Sequence, residues 1–138
     1  MENIKEAIRK NLKLFDYQFN ERGNQIVVDL KLGLKVIIST TDKKSIQVIP
    51  KLMNWNLLTG ALNMNLKSSM IYNLIGSFVV FLILFIVPYI TMDDWKNEYL
   101  IMFFVLFLFW NIVWYLYYFS EFLRLDNKLT LWINNELK

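Results

Sequence analysis

Between residues 26 and 38 every even position is apolar: Ile26, Val28, Leu30, Leu32, Leu34, Val36 and Ile38. The odd positions hold Asp29, Lys31, Gly33, Lys35 and Ser39, interrupted by Val27 and Ile37. A period of two puts alternate side chains on opposite faces of a strand, so this segment predicts a sheet with one buried and one wet face. Gly33 marks either a bulge in one long strand or a turn between two short ones. The turn-forming stretch ERGN (21–24) precedes it and TTDKKS (40–45) follows. Ile46 and Val48 begin a further strand, which Pro50 is expected to end. Leu62, Met64 and Leu66 alternate with Asn63, Asn65 and Lys67, so a last strand is expected to run into the next helix. KLMNWNLLTG (51–60) between them reads as a loop closing the sheet or lying against a bilayer.

Ahead of the sheet the period changes. Ile4, Ile8, Leu12 and Phe15 recur at helical spacing beside Ala7, with Glu2, Glu6, Arg9, Lys10 and Lys13 on the other face. This predicts an amphipathic helix over residues 2–15. Its basic face suits a membrane surface, but packing onto the adjacent sheet is the preferred reading.

Beyond the sheet the polar face disappears. No charge occurs from Met70 to Met92, nor from Tyr99 to Ser120. A helix needs about 20 apolar residues to cross a hydrocarbon core of about 30 Å, and a soluble helix needs a polar face. Two transmembrane helices follow, over about 70–92 and 99–121, joined by a loop at 93–98. Amphipathic spacing then returns in Leu125, Leu129, Trp132, Ile133 and Leu137, with Asn127, Asn134 and Glu136 elsewhere, and Glu121 can pair with Arg124. The expected fold class is membrane α+β. Residues 1–69 form a cytoplasmic helix-plus-antiparallel-sheet domain and 70–123 a transmembrane hairpin. Residues 124–138 form a short amphipathic tail helix that either continues the second span and packs on the sheet, the preferred reading, or lies on the membrane surface. At about 65 residues the first domain has a marginal core of its own.

Composition and charge sharpen this picture. The apolar fraction is 56%, above the roughly 45–50% of soluble domains. The segment MENIKEAIRKNLKLF is charged throughout and lacks the apolar core of a signal peptide, so residues 1–69 are expected in the mature protein. They carry eleven Lys/Arg against six Asp/Glu, a net +5, while the 93–98 loop holds Asp93, Asp94, Lys96 and Glu98, a net −2. Positive flanks favour the cytoplasmic side, which puts both termini in the cytoplasm, with a bacterial inner membrane as the expected setting. Lys67 and Arg124 are the anchoring charges, and Trp95 is the interface anchor at the outer tip. The acidic tip is read as a polar turn rather than a cation site, since hard-ion loops bring more oxygen ligands and a turn glycine.

The chain has no Cys and no His. That excludes disulfides, thiol nucleophiles, the usual zinc ligand sets and His-based acid–base chemistry. No phosphate loop, dinucleotide fingerprint or paired-carboxylate constellation is present. Nor is the aromatic-plus-glycine pattern of an RNA-binding sheet. No enzyme activity, cofactor, metal, nucleic acid or small-molecule substrate is therefore expected.

The candidate residues lie between the spans. The first span holds Asn73, Gly76 and Ser77 near its cytoplasmic end and Pro88 near the other. Small residues let helices approach closely in lipid. An antiparallel hairpin sets Tyr118 level with Asn73, and Trp114 and Tyr115 level with Ser77 and Gly76, to within about one turn. The expected seam is Asn73, Gly76, Ser77, Asn111, Trp114, Tyr115 and Tyr118, with an Asn73–Tyr118 hydrogen bond. Asn111 falls beside Val80, so its amide is expected to bond Ser77 or a group on another chain. Tyr115, Tyr117, Tyr118 and Phe119 suit an interface belt, while Phe107, Phe109, Trp110 and Trp114 lie deeper and offer more surface than one helix covers. The expected role is a non-enzymatic assembly subunit that meets the bilayer, copies of itself or another membrane protein through the second span. The alternatives are a membrane-perturbing effector or an immunity or accessory subunit of a larger complex.

Overall fold

A computed structural model of the chain describes residues 2–40, 46–91 and 97–136. Helix α1 (Glu2–Leu14) leads into strands β1 (Gln18–Arg22), β2 (Gln25–Asp29), β3 (Leu34–Thr40), β4 (Ile46–Leu52) and β5 (Met64–Asn65). Helices α2 (Leu66–Thr91) and α3 (Asn97–Glu136) follow. The five strands form one antiparallel sheet in sequence order. Trp95 and the acidic tip lie outside the described residues, as does Leu137.

The even-position alternation belongs to two strands, not one. Ile26 pairs with Ile38 and Val28 with Val36, so the chain reverses without moving its apolar set to the other face. Gly33 sits in the reversal, a single 3-10 turn over Lys31–Gly33 in which Leu32 is left-handed at φ 56. Gly33 itself has φ 81, and a Cβ there would lie 2.7 Å from the Met53 carbonyl oxygen and 2.9 Å from that of Trp55. Conformation and space both demand glycine. Leu32, at the tip, is the one even-numbered apolar residue of this run left exposed.

Strand β1 was not expected. QFNER has one apolar residue, Phe19, and gives no alternation, but it pairs along its whole length with β2 around the two-residue turn Gly23–Asn24. Strand β4 continues through Pro50 to Leu52 instead of ending there. Its outer edge meets β5 only at Lys51 and Leu52, so Pro50 lies where a missing ladder donor is tolerated.

Helix α1 stops one residue earlier than expected. Asp16 takes the left-handed conformation at φ 55, and the Tyr17 N–H donates to the Leu12 carbonyl at 2.9 Å, closing the helix end. Ile8 and Leu12 are buried, so the apolar face packs inward. On the polar face the Arg9 guanidinium grips the Glu21 carboxylate at 2.6 and 2.8 Å. This hydrogen bonding holds Glu21 below the usual carboxylate range. Such exposed pairs stabilise little.

Helices α2 and α3 are both long and apolar enough to cross a membrane. The amphipathic tail continues the second apolar run, the two forming one helix of 40 residues, about 60 Å long. No Gly or Pro interrupts it, and the apolar stripe Leu125, Leu129, Trp132 falls in phase with Tyr118. Leu125, Leu129 and Trp132 join Ile8, Leu12, Ile26, Val28, Val36 and Ile38 in one core. Phe15 lies outside α1 yet stacks on Trp132 with ring centres 5.5 Å apart. Lys128 donates to the Tyr17 hydroxyl at 3.1 Å and lies 5.0 Å over the Phe15 ring, a cation–π contact. The end of α3 thus supplies the apolar mass that a five-strand meander lacks. Leu129→Ala is expected to cost about 2–5 kcal/mol, read as faster hydrogen exchange across β2 and β3 with α2 unaffected.

Candidate functional site

Where the sheet domain meets the two long helices, a second core forms from Leu34, Leu52, Leu58, Leu66 and Tyr118. Tyr118 is 0% exposed. Its hydroxyl donates to the Leu32 carbonyl at 2.9 Å and accepts from the Leu57 N–H at 3.2 Å. One side chain of α3 therefore ties the β2–β3 turn to the loop after β4. Both backbone groups belong to chain reversals whose polar atoms have no ladder partner, so the phenol satisfies what the sheet cannot. The expected Asn73–Tyr118 hydrogen bond is absent, because the hydroxyl is committed to the sheet domain.

The loop partner is built on Asn56. Its backbone pairs with Gly60, N–H to carbonyl at 2.9 Å and 3.0 Å in the two directions. The Asn56 Oδ1 accepts from the Thr59 N–H at 2.8 Å and the Leu58 N–H at 3.1 Å. Thr59 Oγ1 accepts from Asn56 Nδ2 at 2.9 Å and donates to the Leu62 carbonyl at 2.9 Å. A buried asparagine can fold a loop this way because its amide both donates and accepts. The loop closes the sheet end with Leu58 buried and leaves Trp55 68% exposed.

Below Tyr118 the two long helices enclose a partly open cavity of about 440 Å³. Asn73, Ser77, Asn111 and Tyr115 lie in its wall with Leu58 and Ile112. Four of the expected seam residues therefore come together, but around a space rather than in a packed contact. The hairpin is set nearly two turns from the register that would level Tyr118 with Asn73, more than the one turn allowed for; Phe81 meets Phe104 with ring centres 4.6 Å apart. Two polar side chains in the wall bond to their own helices. Ser77 Oγ donates to the Asn73 carbonyl at 2.6 Å, and Asn111 Nδ2 to the Phe107 carbonyl at 2.8 Å. Asn111 does not bond Ser77. The Asn73 Nδ2 is buried with no partner. Among the described residues nothing lies within 4 Å of where a Gly76 Cβ would stand, so Gly76 makes no close helix approach to them.

Trp114 faces another way. It packs against the Tyr118 core and meets Trp110 and Tyr117 edge-on, each with ring centres 5.6 Å apart. Trp110, Trp114 and Tyr117 thus form a ladder along one face of α3, running from the buried core to the half-exposed Trp110. Lys67 and Arg124 are exposed near the same end of the helices, Arg124 bonded to Glu121 at 2.9 Å. Sequence reasoning missed the roles of Tyr118 and Asn56. A tyrosine closing an aromatic run and an N-x-x-T-G loop were the signals available.

Tyr118→Phe keeps the ring and removes the hydroxyl. It removes the partner of the part-buried Leu32 carbonyl and Leu57 N–H, an expected loss of about 0.5–1.5 kcal/mol in denaturant unfolding. Tyr115→Phe, at the cavity wall, is expected to lose less.

Comparison with protein-family models, curated proteins and solved structures finds no match for this chain.

Proposed function

We propose that the protein is a two-pass integral membrane protein, with its sheet domain and both termini in the cytoplasm, acting as a non-enzymatic assembly subunit. The carrying observation is the division of α3. Its last part is core to the sheet domain, while its first part exposes large apolar side chains all round, among them Phe103, Phe109, Trp110 and Val113. In water such a surface aggregates; in a bilayer it is solvated by lipid or by another helix. Lys67 and Arg124 at the sheet end, and the net positive charge of residues 1–69, support the cytoplasmic placement. The exposed Trp55 and Leu62, beside the start of α2, suit a loop resting on the membrane surface.

The partner surface is the aromatic ladder rather than Asn111. Asn111 turns toward the cavity and its Nδ2 is already bonded. Trp110 is held at a fixed angle by Trp114, which is anchored by the Tyr118 core, so a large aromatic face stands ready with little side-chain freedom left to lose. A second copy of this chain is the occupant this reading favours, with another membrane protein as the variant form. In nanodiscs, the native mass of the wild type is expected to be a discrete multiple of the 16.6 kDa chain. Trp110→Leu is expected to lower that mass and Asn111→Leu to leave it unchanged. A wild-type monomer overturns self-assembly.

A further inference from the structure

The end of the sheet domain from which α2 and α3 leave carries cations without matching anions. The β2–β3 turn, the loop after β4 and the start of α2 lie side by side there. Strand β5 pairs with Lys51 and Leu52 just before α2 begins, and the Met53 N–H donates to the Gly33 carbonyl at 2.8 Å. Lys31 and Lys67 are exposed and Lys51 is half-buried. Their ammonium groups have no hydrogen bond or ion pair among the described residues. No Asp or Glu occurs from Lys43 to Met92. Two carboxylates of flanking elements, Asp29 and Glu121, are already paired, with Lys35 at 2.8 Å and Arg124 at 2.9 Å. Leu32 on the turn, and Trp55 and Leu62 on the loop, are exposed beside these cations.

Depth brings these groups to one level. Lys67 lies fourteen residues before Phe81, and Tyr118 lies fourteen after Phe104. Phe81 and Phe104 meet, so Lys67 and Tyr118 both stand about 21 Å from that contact along the hairpin. The Tyr118 hydroxyl is bonded to the Leu32 carbonyl and the Leu57 N–H, which holds the turn and the loop near the level of Lys67. The charge-free run of α2 starts at Met70, about 4.5 Å deeper than Lys67. With that run in hydrocarbon, Lys67 and its neighbours stand in the polar zone of one leaflet, about 5–8 Å deep. Trp favours this zone, and Lys within it is drawn to anionic lipid. An acidic protein would suit the charges, but at this depth it would have to displace the headgroups around the hairpin.

We infer that this end of the sheet domain gathers anionic phospholipid from the leaflet it meets. Lys31, Lys51 and Lys67 face the headgroups, while Leu32, Trp55 and Leu62 lie where headgroups give way to acyl chains. The Tyr118 joint fixes the surface relative to the helices, so it needs no movement of the domain to engage. What changes with lipid charge is the company the surface keeps. The inference deepens the two-pass reading and rests on α2 and α3 crossing a bilayer, not on self-assembly.

The chain has no Cys, so Ala61→Cys, at an exposed position of the loop, takes a single fluorophore in the full protein. The labelled chain is placed in nanodiscs of zwitterionic lipid holding a minority of spin-labelled phospholipid, with either an anionic or a zwitterionic headgroup. The ratio of the two quenching efficiencies measures local enrichment. Stronger quenching by the anionic lipid is expected, falling about fivefold in preference for each Lys removed in Lys31→Gln and in Lys31→Gln with Lys51→Gln. It is also expected to vanish near 1 M salt, where screening acts within about 3 Å. Thermal melts identify which variants fold, and either one suffices. Equal quenching by both lipids, no quenching by either, or an unchanged preference in a folded variant overturns the inference. So does loss of the preference on adding stoichiometric polyglutamate, which assigns the cations to an acidic protein. A second label at Val105→Cys, on the exposed apolar half of α3, separates the two readings. If lipid spin-labelled deep in its chain fails to quench it, the bilayer reading has failed and this inference with it.

Discussion

The fold depends on one hydroxyl group held where three segments meet. Tyr118 projects from α3, is fully buried, and donates a hydrogen bond to the Leu32 carbonyl while accepting one from the Leu57 N–H. Neither backbone group has a strand partner available. The β2–β3 turn is left-handed at Leu32, and the loop after β4 is folded around its own Asn56. Each reversal exposes polar backbone toward an apolar junction, and each would be costly to bury alone. The phenol satisfies both and in doing so sets where α3 enters the sheet domain.

From that joint the helix works in two directions. Toward its C-terminus it delivers Leu125, Leu129 and Trp132 to the sheet, and Lys128 and Trp132 clasp the α1–β1 elbow. A meander this small buries too little apolar surface to be secure by itself, so the helix is as much its core as the strands are. Toward its N-terminus it carries Trp114 and Trp110, braced ring against ring. The sheet and the apolar half of the helix are consequently one mechanical unit.

Much of this was legible in the residues. The even-position run from Ile26 to Ile38 announced a one-sided sheet, and it survives the reversal because Ile26 faces Ile38 in register. The stripe of Leu125, Leu129 and Trp132 announced a helix that packs on that sheet. Other features were hidden for physical reasons. QFNER has one apolar residue, so β1 is held by its ladder and by the Arg9–Glu21 pair rather than by a pattern of its own. Pro50 reads as a stop unless its side of the strand is known to be largely unpaired. The change from all-round apolar to amphipathic spacing near Ser120 suits one helix or two, and the structure has one. Depth matching levelled Asn73 with Tyr118 and Asn111 with Val80, six residues from the register of the Phe81–Phe104 contact, and no one-dimensional pattern could show that Asn73, Ser77, Asn111 and Tyr115 line a space or that Tyr118 turns to the sheet.

The account stands or falls on the continuity of α3 through Tyr118. Hydrogen exchange of the full chain in lipid nanodiscs, resolved by peptide over residues 111–133, tests it directly. One slow block running from the apolar half through Tyr118 to Trp132 is the predicted result, since every amide there lies in one unbroken helix. A fast-exchanging stretch between Tyr118 and Leu125 would contradict it, separating the sheet domain from the apolar half of the helix.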